Sequence, residues 1–454
     1  MHPVHKTTLP ILLLLGAGAH AAPLTDAALP ARQADVDAIV REISPQRIHA
    51  YVDKLVSFGT RHTMSETASS TRGIGAARRW IKAELERCGA GRLDVQFQSH
   101  LHPVANRITR PTEIVNVVAT LPGTQPASRD RYYVVSGHYD SRVTDVMNAT
   151  ADAPGANDDA SGTAAVMEIA CVMSRHKFDA SLVFMTVAAE EQGLYGSGDY
   201  AAKAKAAGMN IAGMLNNDII GSSHDEHGKL DNAHVRLFAE GVPPVKETTP
   251  ALRTLLQTGG ENDSITRQLA RHVKETGERY VPGFTVDIIY RRDRYLRGGD
   301  HSPFLDAGYA AVRFTEPHED FDHQHQDLRT ENGKKIGDLV EYVDPAYVAQ
   351  VARVNAASLA ALALAPAAPQ DVKVKTTNLD NGTDLVWKAN TEPDLAGYRI
   401  VWRDTTSPVW QGATFVGNVT NYRVDLSKDN LLFGVQAVDK DGNVSPATYP
   451  LPAR

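Results

Sequence analysis

The sequence has two cysteines, Cys88 and Cys171, in 454 residues. Neither has a zinc-ligand spacing or a neighbouring catalytic histidine, which excludes a cysteine-ligated metal site and a cysteine nucleophile. Both lie on segments whose apolar spacing reads as helix. A disulfide between them and a pair of buried thiols therefore both stay open. An excess of positive charge is also missing. The 47 basic and 54 acidic residues leave a formal net charge of −7, and no long run of one sign occurs. That argues against a nucleic-acid partner, which calls for a basic patch. Long apolar runs are missing as well. The first, Leu9 to Gly18, is too short to cross a bilayer comfortably. It follows a modestly basic start from His2 to Lys6 and precedes the small-x-small pattern Ala19-His20-Ala21. This reads as a signal peptide over 1–21, with an N-terminal anchor as the alternative. The mature chain is expected to begin near Ala22, to lack a membrane span, and to be secreted or periplasmic.

What is present divides the chain into regions. Residues 22–105 read as an N-terminal helical region, with apolar residues at helical spacing over Ser44 to Phe58 and Gly75 to Cys88. The pattern turns strand-like between Asp94 and Leu121. Over 106–364, short apolar strands alternate with helical stretches. Tyr132 to Val135, Leu182 to Ala188, Ile211 to Leu215 and Ala310 to Phe314 read as strands, and Ala160 to Met173 and Pro345 to Ala363 as helices. Such alternation predicts an α/β fold with a mostly parallel central sheet flanked by helices. The more polar stretch 222–285 reads as an insertion or a covering helical region. A stiff linker, Ala365 to Pro369, leads into short alternating strands over 370–454, a small all-β sandwich.

Five short segments carry His, Asp or Glu, and each follows a strand candidate: His138 to Asp140, Asp158 to Gly162, Glu190-Glu191, Asp218, and Asp322 to Asp327. In an open α/β sheet, ligands bind beyond the carboxyl ends of the strands, so distant segments deliver their polar tips to one crevice. Imidazole and carboxylate together suit Zn²⁺. Each piece also has a bland reading. Asp158 or Asp159 is a ready N-cap for the helix starting near Ala160. Glu190-Glu191 alone reads as an exposed pair, His138 as a hydrogen-bonded core residue, and His323 and His325 as loop residues. The recurrence of all five at one topological place favours a metal site.

These segments closely resemble the two-zinc aminopeptidase family typified by bacterial leucyl aminopeptidase. The matching residues are His138-Tyr139-Asp140, Asp158 to Gly162, Glu190 to Ser197, Asp218, Asp300-His301 and His323, and the likeness covers roughly residues 110–362. It implies two zinc ions per chain. His138 and Asp218 hold one, Glu191 and His323 the other, and Asp158 bridges them. Asp327, four positions after His323, matches an acidic residue of the family and selects His323, with His325 as the alternative. The resemblance also implies Glu190 as general base toward a water between the metals, and Asp140 as the group orienting His138. It places His301 near the site without making it a ligand. The oxyanion-stabilising Tyr of relatives falls near Tyr295 and Arg297. Apolar N-terminal residues of peptides are the expected substrates by the same analogy, with glutaminyl-peptide cyclisation or another exopeptidase activity as the alternative on this scaffold. The tail from about Asp371 resembles a fibronectin type III module, which serves as a spacer or as a contact to a surface or glycan.

Overall fold

A computed structural model describes residues 30–244 and 247–453. The expected signal peptide over 1–21 lies outside the described residues. The N-terminal segment forms helices α1 (Ala34–Glu42), α2 (Pro45–Val56) and α3 (Gly73–Gly89). Ser44 caps α2 by accepting from the Arg47 amide, and Pro45 occupies its first turn, where a missing N–H costs nothing. These helices do not stand apart. Val36, Ile48, Leu55 and Ile81 belong to the same buried core as the central sheet.

The next elements are strands β1 (Asp94–His102), β2 (Thr112–Leu121) and β3 (Arg131–His138), helix α4 (Ala160–Met173), β4 (Ser181–Val187), α5 (Tyr195–Ala206) and β5 (Asn210–Asn217). There follow β6 (His234–Ala239), α6 (Pro250–Gln257), α7 (Ile265–Tyr280), β7 (Thr285–Ile289), α8 (His301–Asp306) and β8 (Ala311–Thr315). A short hairpin of β9 (Arg329–Glu331) and β10 (Lys334–Ile336) precedes the long α9 (Pro345–Leu364). The eight-stranded sheet has the order β1-β2-β4-β3-β5-β8-β6-β7. Its centre is parallel, through the pairs β4–β3, β3–β5 and β5–β8. Antiparallel pairs join β1, β2 and β6 to that centre. The carboxyl ends of β3, β4, β5 and β8 therefore open on one edge. Every residue of β4 is buried, as a strand covered on both faces requires. Helix α9 is long and apolar enough to cross a membrane, but it is largely buried within the protein, against α1, α4 and α7.

The stretch 222–285 holds helices, as its sequence reading has it, but also strands that the reading lacks. It supplies β6 and part of β7, which extend the sheet, as well as α6 and α7. The polarity that disguised it is spent on internal pairing. Arg236 of β6 reaches Glu316 and Glu319, and Arg267, Arg271 and Glu275 of α7 are buried. Cys88 and Cys171 form a disulfide that ties α3 to α4.

Beyond α9 lie β11 (Gln370–Lys375), β12 (Thr383–Lys388), β13 (Leu395–Asp404), β14 (Gly412–Gly417), β15 (Asn421–Val424), β16 (Leu431–Asp439) and β17 (Leu451–Ala453). They make a four-stranded sheet, β15-β12-β11-β17, and a three-stranded one, β14-β13-β16. Leu385, Trp387, Tyr398, Ile400 and Phe433 fill the space between. This sandwich is bolted to the larger domain. Asp263 pairs with Arg271 of α7 at 3.2 Å and with Arg403 of β13 at 2.6 Å. Trp410 lies against both guanidinium groups.

Candidate metal centre

The crevice is built by strand ends. His138 is the last residue of β3, Asp218 follows β5 directly, and Glu190 and Glu191 follow β4 through Ala188-Ala189. Ala189 and Ile219, each next to one of these acids, have φ of 62° and 60°. Such left-handed backbone is costly for β-carbon residues and gathers where a side chain must be aimed.

Two trios of ligand-type side chains result, with the donor atoms of each within 4.8 Å of one another. The first is His138, Asp158 and Asp218, and the second is Asp158, Glu191 and His325. Asp158 belongs to both and faces each with a different oxygen. Its Oδ1 lies 3.0 Å from His138 Nε2, and its Oδ2 lies 2.8 Å from His325 Nε2. His138 Nε2 is 3.8 Å from Asp218 Oδ1, and His325 Nε2 is 3.0 Å from Glu191 Oε1.

His323 is not part of this cluster. It stacks on Tyr342, with ring centroids 3.7 Å apart, and its Nδ1 lies 3.4 Å from Asp320. The ligand position expected for His323 is taken by His325. A φ of 57° at His325 turns its ring back over Asp158 and Glu191. The spacing to Asp327 misdirected the choice, because the loop is not extended there.

Asp158 and Asp159 divide two jobs: Asp158, the residue that the resemblance selects as ligand, belongs to both trios, and Asp159 serves the helix. The peptide bond between them is cis. Asp159 caps α4 through the Gly162 amide and also accepts from the His138 amide. Gly162 packs so closely that a β-carbon would lie 2.4 Å from the Asn217 carbonyl oxygen. Only glycine lets α4 sit this near β5.

Asp140 is fully buried. Its carboxylate accepts from the amides of Glu190 and Glu191, at 3.3 and 3.2 Å, and from the Thr63 hydroxyl. The Nδ1 of His138 lies nearer to the Asp140 carbonyl, at 3.1 Å, than to its carboxylate, at 3.5 Å. Asp140 thus positions the two glutamates as well as the histidine ring.

The electrostatics are those of crowded acids. Burial lowers the pKa of His138, but Asp140, Asp158 and Asp218 outweigh it and hold the ring well above its usual value. Burial also opposes charge on His325, yet Glu191 and Asp158 raise it to about 10. Glu190 is pushed well above the usual carboxylate range, chiefly by burial. A cation is what such a cluster calls for. Glu191 Oε1 and His325 Nε2 are buried and make no hydrogen bond, although they face each other. Ligand-type atoms that converge without hydrogen-bond geometry fit a metal ion, which would take the place of the proton on His325.

Several neighbours escaped the sequence reading. Arg142 Nε lies 2.9 Å from Glu191 Oε2, and its Nη2 lies 2.6 Å from His325 Nδ1. Gln324 donates to Asp158 Oδ2 at 3.0 Å. Arg313, fully buried on β8, lies 2.9 Å from Asp218. Only Arg313 carried a signal, as a charge inside the apolar run Ala311 to Phe314. His301 is buried and bonded to the Arg292 carbonyl, near the site but outside both trios. Tyr295 is 79% exposed and stacks with Arg291. It does not line the crevice, whereas Arg297 does.

Glu190, Glu191, Asp158 and Asp218 open into a cavity of about 320 Å³. A larger one, about 640 Å³, lies at the edge of the sandwich near Leu379 and Tyr449, away from these acids. Titratable chemistry, not size, marks the smaller cavity as the site.

Comparisons with known proteins agree with this geometry. The model of peptidase family M28 matches residues 116–354. A probable zinc metalloprotease of Leptosphaeria maculans is 52% identical over 426 residues, covering 93% of this chain and 98% of the relative. The fold is similar to that of the LapA aminopeptidase of Legionella pneumophila, with a TM-score of 0.51 and 18% identity over 74% of this chain and 76% of that one. It is as similar to a glutaminyl cyclase of Macrostomum lignano, with a TM-score of 0.51 and 14% identity over 74% of this chain and 94% of that one. With the family model spanning more than half the chain and a relative sharing half its residues over nearly its full length, this protein is a member of peptidase family M28.

Proposed function

We propose that this chain is an exported two-zinc aminopeptidase that removes N-terminal residues from peptides. The observation that carries the reading is Asp158, which offers one oxygen to each of two complete trios. Cyclases on this scaffold carry broadly similar acidic residues, so the number of zinc ions bound, near two or one, separates the peptidase from the cyclase. The relative from Leptosphaeria maculans, named a zinc metalloprotease, supports zinc as the metal. Export is supported by the apolar run at Leu9 to Gly18 and by the disulfide, which persists in oxidising compartments.

His138, Asp158 and Asp218 would hold one ion, and Asp158, Glu191 and His325 the other. Two zinc ions in these positions supply Lewis acidity toward the scissile carbonyl and make water acidic near neutral pH. The protein's own groups do the rest. Glu190 lines the cavity, belongs to neither trio and is free to act as the base. Its carboxylate takes the proton of the attacking water and returns it to the leaving amine nitrogen. Asp140 fixes the main chain of both glutamates, so base and ligand keep a constant relation. Arg142 holds Glu191 Oε2, which leaves Oε1 directed at His325. The expectation of apolar substrates rests on the family resemblance alone.

The test is hydrolysis of aminoacyl-nitroanilides by purified protein, with zinc counted per chain. Release of nitroaniline, loss on chelation, recovery with zinc and a count near two support the reading. Cyclisation of N-terminal Gln peptides with one zinc per chain replaces it.

A further inference from the structure

The cavity that holds the two trios is walled by four arginines, Arg107, Arg142, Arg294 and Arg297. Two of them are committed through all three of their nitrogens. Arg142 is spent on Glu191, His325 and the carbonyls of Val143 and Thr144. Arg294 is spent on Asp293, Glu319 and the Gly298 carbonyl. The other two are exposed and sparsely bonded. Arg107 donates to the Glu191 carbonyl from Nη1. Arg297 donates to Glu319 from Nη1 and weakly, at 3.5 Å, to Gln324 from Nη2. A guanidinium has five N–H donors, so both keep donors in hand.

These two groups stand close to the chemistry. The carbonyl that Arg107 holds belongs to Glu191, and Gln324, beside Arg297, donates to Asp158. Of the cavity acids, Asp158, Glu191 and Asp218 are engaged by His138, His325, Arg142 and Arg313, and among the described residues no ion pair joins Glu190 to Arg107 or Arg297. Arg297 is paired with Glu319 at 3.0 Å, outside this cavity, and meets a ligand through its remaining donors. Arg297 also borders a second opening of about 510 Å³, shared with Arg142, Gln324 and Phe321. The apolar side chains in the first cavity are few: Leu194, Ile219 and Leu296. A pocket selecting only apolar residues would be lined mainly by such groups. Planar guanidinium forks match carboxylates in a bidentate way.

We propose that Arg107 and Arg297 read a carboxylate on the substrate, within one residue of the bond that is cut. This rests on the aminopeptidase reading and specifies its substrate class. The carboxylate has two sources: the side chain of an acidic N-terminal residue, or the free C-terminus of a dipeptide. Arg107 and Arg297 are specificity residues in either case.

The test compares kcat/KM in two substrate pairs, using the zinc-loaded full chain. One pair is Glu-nitroanilide and Leu-nitroanilide. The other is the dipeptide Leu-Gly and Leu-Gly amide. The expected result is a preference of about tenfold or more for the carboxylate-bearing member of one pair, and the pair identifies the source. In Arg107→Ala and Arg297→Ala the preference collapses toward parity through a rise in KM, and Arg297→Lys restores part of it. Zinc content and thermal unfolding show whether each variant is intact, and the single lysine variant keeps the test available if an alanine variant misfolds. Parity in both wild-type pairs overturns the proposal while leaving the aminopeptidase reading in place. An equal fall in kcat on all four substrates in Arg297→Ala also overturns it, since that marks oxyanion stabilisation instead. Failure to cut any of the four, with zinc bound, overturns the aminopeptidase reading and the proposal together.

Discussion

Arg403 of the C-terminal sandwich lies 2.6 Å from Asp263 of the larger domain, and both side chains are almost wholly buried. Asp263 also meets Arg271, so one carboxylate compensates two buried guanidinium groups. Removing one partner of a buried pair leaves an uncompensated charge, which costs about 3–5 kcal/mol. Asp263→Ala is expected to lose stability of that order and to loosen the sandwich from the domain. Urea unfolding, followed by limited proteolysis within 365–369, checks both.

Glu190→Gln is expected to lower kcat by about 10²–10⁴-fold, the usual worth of a positioned base. Zinc content should not change, because Glu190 is in neither trio. Loss of zinc along with activity would make Glu190 a ligand.

His325→Ala should bind about one zinc fewer per chain, since it removes a donor from a site of three protein ligands. His323→Ala should keep the full count, because its ring packs on Tyr342 outside both trios. Metal analysis after dialysis separates the two variants, and the reverse result would restore His323 as the ligand.

Glu275, buried in α7, has a pKa raised to about 7 by burial. Its folded-state value exceeds its unfolded one, so its contribution is fully present below the unfolded pKa and is lost as pH rises through 7. The wild type should therefore lose up to about 2–3 kcal/mol between pH 5 and pH 8 from this group, at about 1.4 kcal/mol per pKa unit. Glu275→Gln should flatten that part of the profile and be the more stable protein at pH 8. Thermal melts across the range decide it.

The disulfide joins positions 83 residues apart. Opening it frees a long loop in the unfolded chain and removes about 2–5 kcal/mol. Cys88→Ser and the wild type in reductant should both unfold at lower temperature, with zinc content retained.

Much of the site was legible before folding. His138, Glu190, Glu191 and Asp218 each end or follow an apolar strand, and strand–helix alternation brings such ends to one edge. Asp158 was legible only through the resemblance, since as a helix cap it could not be told from Asp159. The helices of 222–285 were legible but its strand β6 was not, because β6 and α7 hide polar side chains in internal pairs, which hydropathy counts as exposure. Arg107, Arg142 and Gln324 were invisible, since nothing local distinguishes them from solvated loop residues.

By itself, the sequence determined the chemical inventory and its rough address: imidazoles and carboxylates at the carboxyl ends of central strands, a base beside a ligand, and a β-rich tail after a Pro/Ala linker. Periodicity and residue type are local properties, and they suffice for that. The tertiary structure alone decided that His325 rather than His323 faces Asp158, that Cys88 meets Cys171, that buried or half-buried arginines back Glu191 and Asp218, and that the sandwich is clamped to α7. Each of these is a pairing across the chain or a turn of one loop residue. Such outcomes depend on which surfaces pack together and on where buried charge finds its counter-charge, and no window of sequence contains that.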